Sequence, residues 1–129
     1  LVENALNAVA TAAMDFRGLI KTNPFVPLIG ASDFLMCFGD ALVGWCHLWM
    51  ANVATAKLNE LYAANGAAAD PAKQFELLMN NKEAQFFSGK IEGAKFFIGR
   101  VTALVPAKLD VLKQDETSAM RISEEAFAV

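Results

Sequence analysis

The stretch Asp33–Met50, DFLMCFGDALVGWCHLWM, decides the fold of this chain. It contains no proline and no alternation of period two, and it is apolar almost all round through Phe38, Leu42, Trp45, Leu48 and Trp49. Such a run reads as a helix buried on several sides, the central helix of a bundle. Ser32 is the expected N-cap, and Asn65-Gly66 is the expected stop, since glycine takes the left-handed cap conformation without a Cβ penalty. The predicted helix therefore spans 33–64, turning amphipathic where Lys57 and Glu60 accompany Leu58 and Leu61. A membrane span is the competing reading of 34–56. Asp40, His47 and Asn52 interrupt that stretch at a cost in lipid, so no membrane span is expected.

Working outward, Val2, Leu6, Val9, Ala13, Phe16 and Ile20 step by four and three, which predicts a helix from Val2 to Lys21 with one buried stripe. Asn23-Pro24 ends it, and 24–32 reads as a connector with room for a helical turn. Beyond Gly66, residues 66–69 read as a short loop. Asp70-Pro71 then opens a helix, aspartate as N-cap and proline at the first position, with Phe75, Leu78 and Met79 as its apolar face. Asn80-Asn81 marks a break or kink. A long helix follows through Phe87, Ile91, Ala94, Ile98, Val101 and Val105, kinked at Pro106, with a last helical piece through Leu109 and Leu112. Residues 115–129 read as a polar tail wrapping the bundle, with a turn of helix near Glu124. The expected fold is all-α: an up-and-down helical bundle of three long helices plus short helical pieces, four-helix-bundle-like, forming a single domain over 1–129.

A chain of 129 residues with 55% apolar and 19% charged residues is rich in core-forming side chains, so disorder is excluded. Its net charge of −3 argues against nucleic acid as a partner and against a polybasic membrane-surface module. The first residue, Leu1, lies within an already periodic pattern, so the chain is expected to be a fragment of a longer multidomain one, and no signal peptide is read at its start. Cys37 and Cys46 fall on opposite helix faces and cannot pair with each other. Two free, buried thiols are expected, which suits a cytoplasmic location.

The residues assemble no catalytic, cofactor-binding or metal site, and none is predicted. His47 is the only histidine, too few for a di-iron, haem or zinc site built from this chain. Cys46 and His47 are adjacent and diverge by about 100° on a helix, so they form no nucleophile–base pair. His47 reads as a polar residue at the bundle edge or a buried, hydrogen-bonded one. Asp40 shares nearly its face, two turns away. It reads as an ion-pair partner of Lys90, Lys95 or Arg100, or as part of a polar seam against a partner domain. Gly39, Gly44, Gly89, Gly93 and Gly99 lie within helical patterns rather than in a phosphate-binding turn. They are expected to let helices approach closely. The aromatic residues at helical spacing read as core or interface.

The segment Phe86-Phe87-Ser88-Gly89-Lys90-Ile91-Glu92-Gly93-Ala94-Lys95-Phe96-Phe97 resembles the F-x-x-G-K-x-x-x-A-x-x-F stretch of the accessory C-terminal domain of acyl-CoA dehydrogenase-like flavoproteins. The branch it resembles includes 3-methylmercaptopropionyl-CoA dehydrogenase-like enzymes. Phe38-Gly39, Gly44-Trp45 and Leu48-Trp49 resemble the same domain's central helix, and Pro106 and Glu124-Glu125-Ala126-Phe127 resemble its tail. The likeness runs from Leu6 to Phe127, with a longer loop-plus-helix at 66–81. It implies a parent enzyme of fatty acid metabolism that binds FAD and oxidises an acyl-CoA to the 2,3-enoyl-CoA. In such a parent a glutamate takes the α-proton and the flavin accepts the β-hydride. The resemblance puts those functional residues upstream, and none maps onto a position here. Lys90 belongs to the motif with no role beyond structure.

Two functional readings follow. In the first, the chain is an accessory bundle serving packing or oligomerisation on the upstream catalytic domains of its own chain, inactive alone and binding neither FAD nor acyl-CoA. In the second, it is a free-standing helical protein-interaction module. The apolar excess predicts a homodimer, through a patch of Leu35, Val43 and Met50 joined by Phe96 and Phe97.

Overall fold

The computed structural model describes residues 1–114 and 117–128. Its elements are α1 (Val2–Leu19), α2 (Phe25–Ile29), α3 (Ala31–Ala64), α4 (Pro71–Asn80), α5 (Lys82–Arg100) and α6 (Val105–Leu112), with 3₁₀ turns at Thr102–Leu104, Ser118–Arg121 and Glu124–Phe127. The fold is an all-α bundle whose three long helices are α1, α3 and α5. At 34 residues α3 runs about 51 Å at ~1.5 Å per residue, and every other long helix is measured against it.

Local chemistry sets most boundaries. Gly66 has φ +62°, the Ala67 N–H donates to the Tyr62 carbonyl at 2.8 Å and the Gly66 N–H to Ala63 at 3.1 Å. This is a Schellman end, which satisfies carbonyls that the terminus of α3 would otherwise leave bare. Asp70 Oδ1 accepts from the Ala72 and Lys73 amides at 3.0 and 3.3 Å, with Pro71 at the first position of α4. Asn81 caps α5 in the same way, its Oδ1 accepting from Glu83 and Ala84 at 2.9 and 3.0 Å. Asn80-Asn81 is thus a full break between two helices.

Other boundaries differ from expectation. Ser32 does not cap α3. The helix starts two residues earlier, at Ala31 behind Gly30, whose αR backbone (φ −82°, ψ −2°) joins the short helix α2 to α3 almost without a gap. The long C-terminal helix does not continue to Pro106 either. It ends at Arg100, with Val101 at φ −107° and ψ −61°, and a 3₁₀ turn fills 102–104. Pro106 then sits in the first turn of α6, where its missing N–H costs nothing. A proline in an unbroken helix would strike the carbonyl four residues back, at Thr102, so the chain breaks there instead.

Both α1 and the α5–α6 run lie antiparallel to α3. Asp40, Gly44 and His47 meet Lys108, Thr102 and Phe97 in reversed order, and the Phe34 ring near the start of α3 lies 5.3 Å from Phe16 near the end of α1. The core sits where α1, the first half of α3 and α6 converge: Ala5, Val9, Ala12, Cys37, Ala41, Val105 and Leu109, closed over by Phe34 and Leu112. Four of those seven residues are alanine or cysteine, so the helix backbones come close. This shifts the buried stripe of α1. Ala5 and Ala12 are buried where the 4-3 stepping had pointed to Leu6 and Ala13, and Ile20 is exposed.

Phe16, Leu58, Val105 and Leu109 are buried, but much of the aromatic side-chain area lies outside the bundle. Ala54, Ala84 and Ala94 line the α3–α5 contact, while Trp45, Trp49, Phe75, Phe86 and Phe96 stand outside. Phe38, Leu42 and Leu48, expected inside, are about 40% exposed. By length and composition α3 is also apolar enough to cross a membrane, alone in this among the described residues. The C-terminal segment carries its turn at Glu124–Phe127 as expected, and its described residues from Ser118 to Ala128 are exposed. Its Met120, Ile122 and Phe127 side chains are exposed, and Asp115, Glu116 and Val129 of the expected tail lie outside the described residues.

Candidate functional site

The polar residues singled out in the sequence come to separate places. Asp40 pairs with Lys108 of α6 at 3.2 Å, not with Lys90, Lys95 or Arg100 of α5. The break after Arg100 is the reason, because it swings α6 onto the face of α3 that carries Asp40. Lys95 pairs instead with Glu92 at 2.7 Å along its own helix, and the Lys90 ammonium stands 5.2 Å from the centre of the Phe86 ring.

His47 is half-buried, its ring stacked on Phe97 at 4.7 Å, and its Nδ1 is buried with no hydrogen-bond partner among the described residues. The reading of a buried, hydrogen-bonded histidine is therefore not met at this nitrogen. Stacking on an aromatic ring, rather than a polar contact, holds the side chain. Cys37 is buried beside Asp33, Met36 and Lys108 at a cavity of about 300 Å³. Burial pushes its thiol pKa up, only partly offset by the Lys108 charge. Cys46 is exposed, against the expectation of two buried thiols, because the ninth residue along points to the opposite side of α3. No three metal-ligating side chains converge among the described residues.

Of the helical glycines, Gly44 alone makes the expected close approach. A Cβ there would collide with the Thr102 side chain, its Cγ2 at 2.8 Å. Gly39, Gly89, Gly93 and Gly99 face open space, with nothing within 4 Å of a built Cβ.

What the fold does assemble is apolar surface. On the outer face of α3, Leu35, Phe38, Leu42, Trp45, Trp49 and Val53 form a strip, all exposed. The Trp45 and Trp49 rings stack at 6.3 Å and 24°, one turn apart. Beside the strip, a groove of about 390 Å³ runs between α3 and α5, lined by Trp49, Met50, Val53, Phe86 and Phe87 with Lys90 at its rim. The dimer patch expected from the sequence is divided by this geometry. Leu35 belongs to the strip and Met50 to the groove. Phe96 is exposed on α5, while Phe97 is half-buried against His47. Chemically, a strip of this kind excludes water against a matching surface; it offers no group to take or give a proton.

Residues 1–123 match the model of the family described as acetyl-CoA dehydrogenase C-terminal like. Over 116 residues, 90% of this chain, the sequence is 29% identical to the broad-specificity linear acyl-CoA dehydrogenase FadE5 of Mycobacterium tuberculosis. The chain spans only 15% of that relative's length. No solved structure matches it.

Proposed function

Because the chain belongs to the acetyl-CoA dehydrogenase C-terminal-like family, we propose that it is the accessory C-terminal bundle of an FAD-dependent acyl-CoA dehydrogenase. In this reading a longer polypeptide carries the catalytic domains and oxidises an acyl-CoA to the 2,3-enoyl-CoA, and the bundle serves packing or oligomerisation. Family membership supports the enzymatic context. The single structural observation that carries the packing role is the exposed aromatic surface: Trp45, Trp49, Phe75, Phe86 and Phe96 stand in solvent while alanines fill much of the core. Large aromatic side chains left in water forfeit about 1.5–3 kcal/mol each relative to burial, so this surface fits a module covered in its assembly.

The residues of this chain do not fit a flavin. Its helical glycines lie inside α1, α3 and α5 rather than in a phosphate-cradling turn, and the groove between α3 and α5 offers one cation, already seated near the Phe86 ring. FAD and the glutamate base therefore belong to the proposed upstream domains, and no chemical step is routed through the bundle. The parent's likeness to the 3-methylmercaptopropionyl-CoA dehydrogenase branch, its place in fatty acid metabolism and a cytoplasmic location form part of the same proposal. So does the absence of a membrane span: Asp40, ion-paired to Lys108, sits inside the apolar half of α3 as in a bundle helix.

The test is to isolate the native protein from its source with an antibody against this chain, measure its mass and record its spectrum. We expect a polypeptide several times the 13.9 kDa of this chain, with the visible absorption of an oxidised flavin, bleached on adding acyl-CoA. A colourless protein of about this chain's own mass would overturn the reading in favour of a free-standing interaction module.

A further inference from the structure

The outer strip of α3 is not used by the bundle, and its pattern says what it matches. Leu35, Leu42 and Trp49 repeat every seven residues, with Phe38 and Trp45 three residues after the first two. That is a seam of period 3.5, the spacing at which one helix lies along another at about 20°. We propose that this strip is the contact face of a two-fold dimer, in which α3 meets the α3 of a second copy antiparallel, centred between Leu42 and Cys46.

Three features favour a second copy over an unrelated partner. The strip is uncharged: Asp40 is the one charged residue between 34 and 56, and it is turned to Lys108. No like charges would face each other across a two-fold axis. The strip is also self-complementary. An antiparallel pairing about residue 44 sets Gly39 opposite Trp49 of the second copy, and Leu35 opposite its Val53. Gly39 faces open space in the middle of a 34-residue helix, a costly place for glycine, and across the axis its missing side chain becomes the recess for an indole. Finally, the length is right. From Leu35 to Val53 the strip covers about five turns of α3, enough for a continuous helix–helix seam.

This inference deepens the accessory-bundle reading by naming the partner of one face. Cys46 supplies a native probe, exposed at the centre of the strip while Cys37 is buried. The experiment is sedimentation equilibrium of the chain from micromolar to high micromolar concentration, with a short bismaleimide as crosslinker. We expect a dimer crosslinked through Cys46, with no crosslink in Cys46→Ser. Trp49→Glu and Gly39→Leu should each weaken the dimer at least tenfold with helix content kept, since both positions are open to solvent in the single copy. Phe96→Ser, on α5, should leave it intact. A monomer throughout, a dimer indifferent to Trp49→Glu and Gly39→Leu, or one broken by Phe96→Ser would overturn the proposal. So would a monomer that binds phosphatidylcholine vesicles through Trp49, which would make lipid the cover. A short, flavin-free native protein would remove the enzymatic reading and leave the sedimentation result standing.

Discussion

The Thr102 side chain fills the space where a Cβ of residue 44 would stand, and its hydroxyl donates to the Asp40 carbonyl at 3.4 Å. Thr102 is fully buried, and it lies in the turn between α5 and α6. The pair therefore pins the break in the C-terminal helices against the middle of α3. Gly44→Ala should destabilise the fold by about 2 kcal/mol, because overpacking outweighs the gain in helix propensity. Gly93→Ala should do the opposite, stabilising by up to about 1 kcal/mol, since it meets nothing within 4 Å. Urea denaturation of the two variants beside the parent reads the contrast directly. Equal effects at both sites would mean the Thr102 contact carries no weight.

Leu109 is the largest fully buried side chain among the described residues, and it sits in a core otherwise built of small ones. Leu109→Ala should cost about 2–5 kcal/mol. Removing it also loosens α6 from α1 and α3, so amide exchange should accelerate across 105–112 before it does so in α5. Uniform acceleration would argue that the two ends of the bundle do not differ in stability.

The capping side chains Asp70 and Asn81 each satisfy two amides at a helix start. Asp70→Ala and Asn81→Ala should each cost about 1 kcal/mol. Asn81→Ala should further raise the helicity of peptides spanning 71–100, because the break between α4 and α5 loses the side chain that holds it. Circular dichroism of such peptides tests this, and unchanged or lower helicity counts against it.

Burial raises the Cys37 thiol pKa above its ordinary value, so in the dilute single copy, where Cys46 is exposed, a thiol reagent should label Cys46 quickly and Cys37 slowly. The sign for stability follows by linkage. The unfolded chain loses the Cys37 proton first, so this contribution is intact below the ordinary thiol range and is lost as pH climbs through it towards the raised value. Denaturation midpoints should fall with alkaline pH in the parent and fall less in Cys37→Ala. Equal pH dependence in both proteins would refute the assignment.

Sequence alone determined the class of fold and most element ends. Hydrophobic stepping, Asn65-Gly66, Asp70-Pro71 and Asn80-Asn81 act within a turn or two of the backbone, and amides and carbonyls are satisfied locally whatever the rest of the chain does. The motif around Gly89-Lys90 was likewise legible, since family likeness needs only residue order. The tertiary structure decided the rest. It set which side of each helix went inward, putting Ala5 and Ala12 inside in place of Leu6 and Ala13, and it left Trp45 and Trp49 outside. It gave Asp40 to Lys108 and moved the break from Pro106 back to Val101. It also made Gly44 a contact and left Gly39 open, though both are glycines in one helix. The physical reason is common to all of these. Periodicity reports that a face is apolar, but which apolar face is covered depends on how near another backbone can come. That distance is set by side-chain volumes on two helices far apart in the chain.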